Sequence, residues 1–525
     1  MRILSILLTV LIVLPILIVG GQWLTPRWEV WQHLWNTRLP EMIRTTALLT
    51  VGVGLGTFLL GTSLAWLVSA YRFPGQSVFE WLLIGPLAMP SFILAYVYMA
   101  LFDFAGPVQK VLRAWFGPQV WFPEIRSLGG AILVLSLVLY PYVYLLARAA
   151  FLEQSASTFE AARLSGYTRT QAFFKLVLPL ARPSLAAGMT LAMLEALTDF
   201  GAVRFFSVST ISEGIVRLWE GALDRSSALA LASLLLLAAL VVILVERLLR
   251  GQSRYFQANS TYRRLEAVPL HGLPAWLAAG FCLLVFAAAL GLPLMQLSAW
   301  VAQEWNKGTP GTFDAVYVRY LRTTLGLALT AALIAVGMAL ILAQHARSGR
   351  SRFRTLFTRL ATLGYAMPGA VIATGVLITL SLAERWLMLP VLLTGSLLGL
   401  IYAYVVRFLS LAYSSADASL EKVTPNLVEA ARTMGAGTGR ILWRIQIPLI
   451  SSGLLAGVTL VFVDVLKELP ATLLLRPFGM DTLAIWAYMA AAESLWSAAA
   501  LPSLTILVIG LMTVIVLFRT GKLFL

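Results

Sequence analysis

Glu160-Ala161-Ala162-Arg163-Leu164-Ser165-Gly166, followed by Pro179, and Glu429-Ala430-Ala431-Arg432-Thr433-Met434-Gly435, followed by Pro448, are one pattern written twice, 269 residues apart. Glu, Ala, Ala, Gly and Pro recur at offsets 0, 1, 2, 6 and 19, while the residues between them differ freely. Other landmarks repeat around this pair. Arg44-Thr45-Thr46 returns as Arg322-Thr323-Thr324, and Ala88-Met89-Pro90 as Ala366-Met367-Pro368, both at a separation of 278. An internal repeat of this length decides the architecture before any single residue does. The chain reads as two copies of one unit, residues 1–260 and 261–525, joined through the basic, polar stretch from Arg247 to about His271.

The units are membrane-embedded. Hydrophobic residues make up 59% of the 525 positions and charged ones 12%, with a mean hydropathy of +0.85, well beyond the apolar share of about 45–50% of soluble domains. A span needs about 20 apolar residues at about 1.5 Å rise each. Some twelve runs qualify, at 3–24, 43–70, 78–102, 128–150, 183–205, 226–246, 273–297, 321–344, 356–382, 389–413, 451–475 and 494–518. The first is too long for a secretory leader and lacks a small-residue cleavage site, so it reads as an uncleaved helix. The expected fold is an all-α membrane protein of about twelve transmembrane helices in two six-helix repeats. Six is even, so the copies insert in parallel, unlike inverted-repeat transporters.

The formal charge of +15 does not call for nucleic acid, because positive residues in a membrane protein mark the inner side. Arg247, Arg250, Arg254, Arg263 and Arg264 follow the sixth run; Arg347, Arg350, Arg352, Arg354 and Arg359 follow the eighth. Both groups read as cytoplasmic, which places both termini there as well. The first copy has nine extra residues between landmarks, assigned to the outer loop from Asp103 to Ser127, whose counterpart near Glu384 to Met388 is short. Cys282 stands alone in an apolar run, and His33, His271 and His345 are scattered, so neither a disulfide framework nor a Cys or His metal site is expected.

The repeated motif falls in two cytoplasmic loops, 151–182 and 414–450. In the first, Ser157 or Thr158 is placed to cap a helix whose opening turn holds Glu160, and Gly166 permits the left-handed turn that ends it. A stretch from Thr168 to Leu178 follows, expected to break at Pro179 and Pro183. The second loop repeats the plan with Thr424, Glu429, Gly435 and Pro448. Paired alanines leave a smooth helix face for close approach by a partner. Simple amphipathic connectors on the membrane surface would not need five residues held at fixed offsets.

This pattern resembles the docking-loop motif of permeases in binding-protein-dependent ABC importers, and the resemblance covers nearly the whole chain. It implies the type I importer permease fold in a bacterial inner membrane. It also implies that Glu160, Ala161, Ala162, Gly166, Glu429, Ala430, Ala431 and Gly435 form two coupling-helix surfaces, each for one cytoplasmic ATPase subunit. A periplasmic substrate-binding protein is the expected outer partner. The chain itself lacks a G-x-x-x-x-G-K-[ST] phosphate loop, so it reads as a non-enzymatic subunit without cofactors, with ATP and Mg held by its partners.

Ionisable groups inside a bilayer are functional candidates by default. Glu195 and Asp199, four apart, are expected on one face of the fifth run, and Asp464 and Glu468 on one face of the eleventh; adding 269 converts one pair into the other. At about 1.5 Å per residue the four acids lie roughly 18–25 Å above the inner ends of their runs, as path-lining or transient metal candidates, since carboxylates suit hard cations. The alternative is that they pair with Lys467, Arg204, Arg44 or Arg322 and hold helices in place. Lys467-Glu468-Leu469-Pro470-Ala471-Thr472-Leu473-Leu474-Leu475-Arg476-Pro477-Phe478, with Asp481-Thr482-Leu483-Ala484 and Asp199-Phe200-Gly201, is similar to the fused permeases of ferric-iron importers, implying Fe3+ as the cargo. Related permeases for thiamine, polyamines, sulfate, molybdate or phosphonates share the docking loop and remain the alternative. An ion-coupled secondary transporter is disfavoured by the parallel repeats, and a membrane enzyme by the lack of a polar catalytic constellation.

Overall fold

A computed structural model of the chain describes residues 2–153, 166–221, 224–250, 267–307, 314–347, 360–388 and 392–521. Glu160, Ala161 and Ala162 of the first docking loop lie outside these residues, as do Arg254, Arg263, Arg264, Arg350, Arg352, Arg354 and Arg359.

Among the described residues, twelve helical segments are long and apolar enough to cross a membrane. They are α1 (Arg2–Gly21), α2 (Leu39–Ala70), α3 (Ser91–Phe116, two helices in sequence), α4 (Leu128–Glu153), α5 (Leu178–Thr198) and α6 (Arg225–Arg250) in the first copy. The second contributes α7 (Leu273–Asn306), α8 (Ala315–Arg347), α9 (Gly369–Leu387), α10 (Leu397–Leu420), α11 (Ile447–Leu466) and α12 (Trp496–Gly521). The fold is all-α. Its only described sheet pairing is a two-residue parallel bridge, Tyr71–Arg72 with Val268–Pro269, which ties the far end of the seam to the first copy.

The proline positions differ from the sequence expectation in instructive ways. The third and ninth runs are not continuous helices. Short 3-10 turns, Gly85–Ala88 and Leu363–Ala366, precede extended Met89 and Met367, and the long helices start after Pro90 and Pro368. A residue before proline is driven out of the α region, so each Met-Pro step sets a break at the same place in both copies. At Pro179 and Pro448 the outcome is the reverse. The helix does not break but runs through a π turn, Phe173–Val177 and Leu442–Gln446, in identical register. One extra residue per turn relieves the clash a proline ring makes with the preceding turn.

Packing exchanges helices between the copies. One core joins α2 to α5 with α7 and α12, and the other joins α8 to α11 with α1 and α6. Across the first exchange, Tyr96 stacks on Trp300 and Trp496, with ring centroids 6.2 and 6.1 Å away, and its hydroxyl bonds Ser503 Oγ at 2.9 Å. Across the second, α1 lies so close to α9 that a Cβ on Gly375 would sit 2.5 Å from the Pro15 carbonyl oxygen. Each repeat is a unit of sequence, whereas each core draws on both repeats.

This contact yields a first prediction. Gly375→Ala forces α1 away from α9 and lowers the thermal unfolding midpoint of the purified protein, with a cost of about 1–3 kcal/mol for overpacking. Gly326→Ala, where an added Cβ meets nothing within 4 Å, leaves the midpoint unchanged or raises it. Equal midpoints for the two variants would contradict the close α1–α9 approach.

Candidate functional site

The site is built where α5 and α11 stop. The sequence placed Asp199 and Glu468 on helix faces shared with Glu195 and Asp464, and here the structure corrects it. The helices end at Thr198 and Leu466, Asp199 is extended (φ −73°, ψ 117°), and short helices Gly201–Phe205 and Pro470–Leu475 resume after the gap. Each acid caps the helix that follows it. Asp199 Oδ1 accepts the Ala202 N–H at 2.7 Å, and Glu468 Oε1 accepts the Ala471 N–H at 2.8 Å. Backbone donors freed by the break are thereby satisfied, as an interior of low polarity demands.

The remaining partners differ between the copies. Ser91 Oγ donates to the second oxygen of Asp199. Its counterpart 278 residues on is Gly369, and a Cβ there would collide with Arg407 Nη1 and lie 2.9 Å from Glu468 Oε1. The missing side chain makes room for a guanidinium. Arg407 Nη1 donates to Glu468 Oε2 at 2.8 Å, with the two side chains 7% and 4% exposed. Lys467 Nζ pairs with Asp464 Oδ1 at 2.9 Å. Thr198, at the lysine's position in the first copy, instead turns its hydroxyl back onto the Glu195 carbonyl at 2.8 Å.

All four acids, Arg407 and Lys467 line one cavity of about 90 Å³, together with Ser91, Tyr142 and apolar residues of both copies. That volume holds a few waters, at about 30 Å³ each. Among the described residues no ion pair or hydrogen bond joins the Glu195 carboxylate. The structure therefore brings together every path residue named from sequence, and realises the alternative pairing only for Lys467; Arg44, Arg204 and Arg322 make neither of these pairs. Arg407 was missed. Its signal was present, a single guanidinium inside an otherwise apolar span, at the position that holds Val138 in the first copy. Among the described residues, no group of three or more Asp, Glu, His or Cys is arranged to hold a metal ion, so the acids line the cavity without forming a cage.

The second docking loop holds a nine-residue helix, Pro425–Thr433. Thr424 has an extended N-cap backbone but makes no side-chain cap, and Pro425 takes an opening position, so Glu429 lies mid-helix and not in the first turn. Glu429 and Ala430 are exposed while Ala431 is buried, so the two alanines do not share one exposed face. Gly435 (φ 78°) ends the helix in the left-handed region, and Gly166 (φ 84°) matches it in the first loop. Met434, Trp443 and Phe174 are each more than half exposed. The aromatic pair Phe174 and Trp443, separated by the 269-residue register, was legible in sequence and overlooked.

The model of the binding-protein-dependent transport system inner membrane component family matches residues 57–255 and again 335–520. The chain is similar to the Fe(3+)-transport system permease protein FbpB 2 of Haemophilus influenzae, 27% identical over 463 residues, which cover 88% of this chain and 86% of that protein. It is 23% identical to the ferric transport system permease protein FbpB of Actinobacillus pleuropneumoniae over 410 residues, 74% of this chain and 58% of that protein. The sulfate transport system permease protein CysT of Escherichia coli is 28% identical over 222 residues, 41% of this chain and 78% of that protein.

The asymmetry at Ser91 and Gly369 can be measured. Gly369→Ala displaces Arg407 from Glu468, and loss of a buried pair costs about 3–5 kcal/mol, whereas Ser91→Ala removes one hydrogen bond worth about 0.5–1.5 kcal/mol. Thermal unfolding of the purified protein should show a clearly larger drop for Gly369→Ala; a larger drop for Ser91→Ala would refute the packing described.

Proposed function

The chain belongs to the family of binding-protein-dependent transport system inner membrane components, with the family's module present twice in one polypeptide, and on that premise we propose that it imports ferric iron. The observation that carries the cargo is the cavity. Its four carboxylates and two cations leave a formal charge of −2, which favours a hard cation and repels an oxyanion. Likeness to a ferric-transport permease along 88% of the chain supports the same reading. The likeness to sulfate and molybdate permeases extends over 41% and 37% of it.

In this reading the two docking loops each seat one ATPase subunit, and a periplasmic binding protein delivers iron to the outer face, which the longer Asp103 to Ser127 loop makes asymmetric. Both termini are cytoplasmic, and residues 1–260 and 261–525 are the two permease repeats. Glu160, Ala161, Ala162 and Gly166 serve the first docking surface, and Glu429, Ala430, Ala431 and Gly435 the second. Ala431 acts from beneath, because it is buried.

The mechanical link is short. A helical rod runs from Gly439 to Leu466, one end beside the docking helix and the other at Asp464; a second rod, from Phe173 to Thr198, carries Glu195. When the partners bind ATP and Mg and close, the docking helices approach each other and the rods tilt. The cavity then opens outward past Glu195, Asp199, Asp464 and Glu468, and hydrolysis resets it inward. The driving force is the difference in contacts that ATP and the binding protein make with the two states.

Two measurements on the reconstituted complex test this reading. Ala430→Trp, on the exposed docking face, should cut co-purification of the ATPase about tenfold or more, the factor that about 1.4 kcal/mol at an interface produces. Glu195→Gln with Asp199→Asn should keep that co-purification and abolish uptake of radiolabelled iron supplied on a ferric-binding protein. Undiminished uptake by the acid variant, or uptake of sulfate in place of iron by the unaltered protein, would overturn the cargo assignment.

A further inference from the structure

The two ion pairs of the cavity are not equivalent. Arg407 and Glu468 are almost fully buried, at 7% and 4% side-chain exposure, and the guanidinium fills the space left by Gly369. Lys467 and Asp464 are 23% and 15% exposed and lie on the cavity wall. A buried, hydrogen-bonded pair is expensive to open. An ammonium on a flexible four-carbon stem, with open space beside it, is free to leave its partner. Besides Asp464, the hydrogen-bond acceptor of Lys467 Nζ among the described residues is the Leu87 carbonyl oxygen, at 3.5 Å, a long and weak contact. The first copy has no such group, since Thr198 holds the equivalent position and bonds its own helix.

We propose that Lys467 is a tethered counter-cation. It occupies Asp464 while the cavity is empty and yields that carboxylate to a multivalent cation passing along the wall that Glu195 also lines. This rests on the cation-path reading above and assigns unequal roles to the two copies. Arg407 neutralises Glu468 permanently, the first copy keeps its acids for cargo, and Lys467 makes Asp464 available only in exchange. The exchange limits how tightly the cavity grips a highly charged ion. Without the lysine the formal charge would fall from −2 to −3, and a trivalent cation would be held too strongly to be passed on.

The test uses the assembled complex and terbium(III) alone as a hard trivalent probe, its luminescence excited through tyrosine, since Tyr142 lines the cavity. Lys467→Thr, which installs the first-copy residue, and Lys467→Met, which keeps the stem without the charge, should both raise terbium affinity by at least about tenfold and slow iron import. Asp464→Asn, which leaves the lysine without its partner, should lose import, and adding Lys467→Thr to it should restore import in part. Unchanged terbium affinity in both lysine variants, or no restoration by the double variant, would overturn the proposal. A loss of terbium binding by Glu195→Gln with Asp199→Asn, combined with unchanged lysine variants, refutes the counter-cation alone. Retention of binding and import by that acid variant refutes the cation path itself.

Discussion

A helix interrupted inside a bilayer exposes backbone donors that lipid cannot satisfy, and two carboxylates meet that demand here. Asp199 takes the Ala202 N–H and Glu468 the Ala471 N–H, so the breaks after α5 and α11 are stable where they stand. The rest of the central site follows from this constraint. Because the groups that reach forward across the gap are carboxylates, negative charge sits at the junction of the two copies. The residues around both gaps line one cavity, with apolar side chains of both copies beside the charged ones.

Around this shared frame the copies have diverged at three matched positions: Ser91 against Gly369, Val138 against Arg407 and Thr198 against Lys467. The first two changes are a unit. A glycine alone would leave a void, and an arginine alone would collide with the serine, while together they seat a buried ion pair. The third adds a partly buried cation on the cavity wall, paired with Asp464. Duplication supplied symmetric geometry, and substitution converted it into a cavity with one side neutralised and the other left acidic.

The exchange of α1 and α6 for α7 and α12 gives the molecule its unity. Neither core can separate from the other without stripping helices from it. The π turns near Pro179 and Pro448 matter for the same reason, because they keep each docking loop joined to its acid-bearing helix through a continuous rod.

The amino-acid sequence by itself determined the twelve apolar spans, the repeat, and the 269-residue register that singled out Glu195, Asp199, Asp464 and Glu468. Such features depend on composition and spacing, which a bilayer reads directly. It did not determine that α5 and α11 end before Asp199 and Glu468, because a four-residue spacing of acids looks the same in an unbroken helix. Nor did it determine the partner of Arg407, which comes from a segment 61 residues away, or that prolines would be absorbed by a π turn in one pair of segments and break another. Those outcomes belong to the tertiary structure, since burial alone decides which backbone groups must be capped and which charges must be paired.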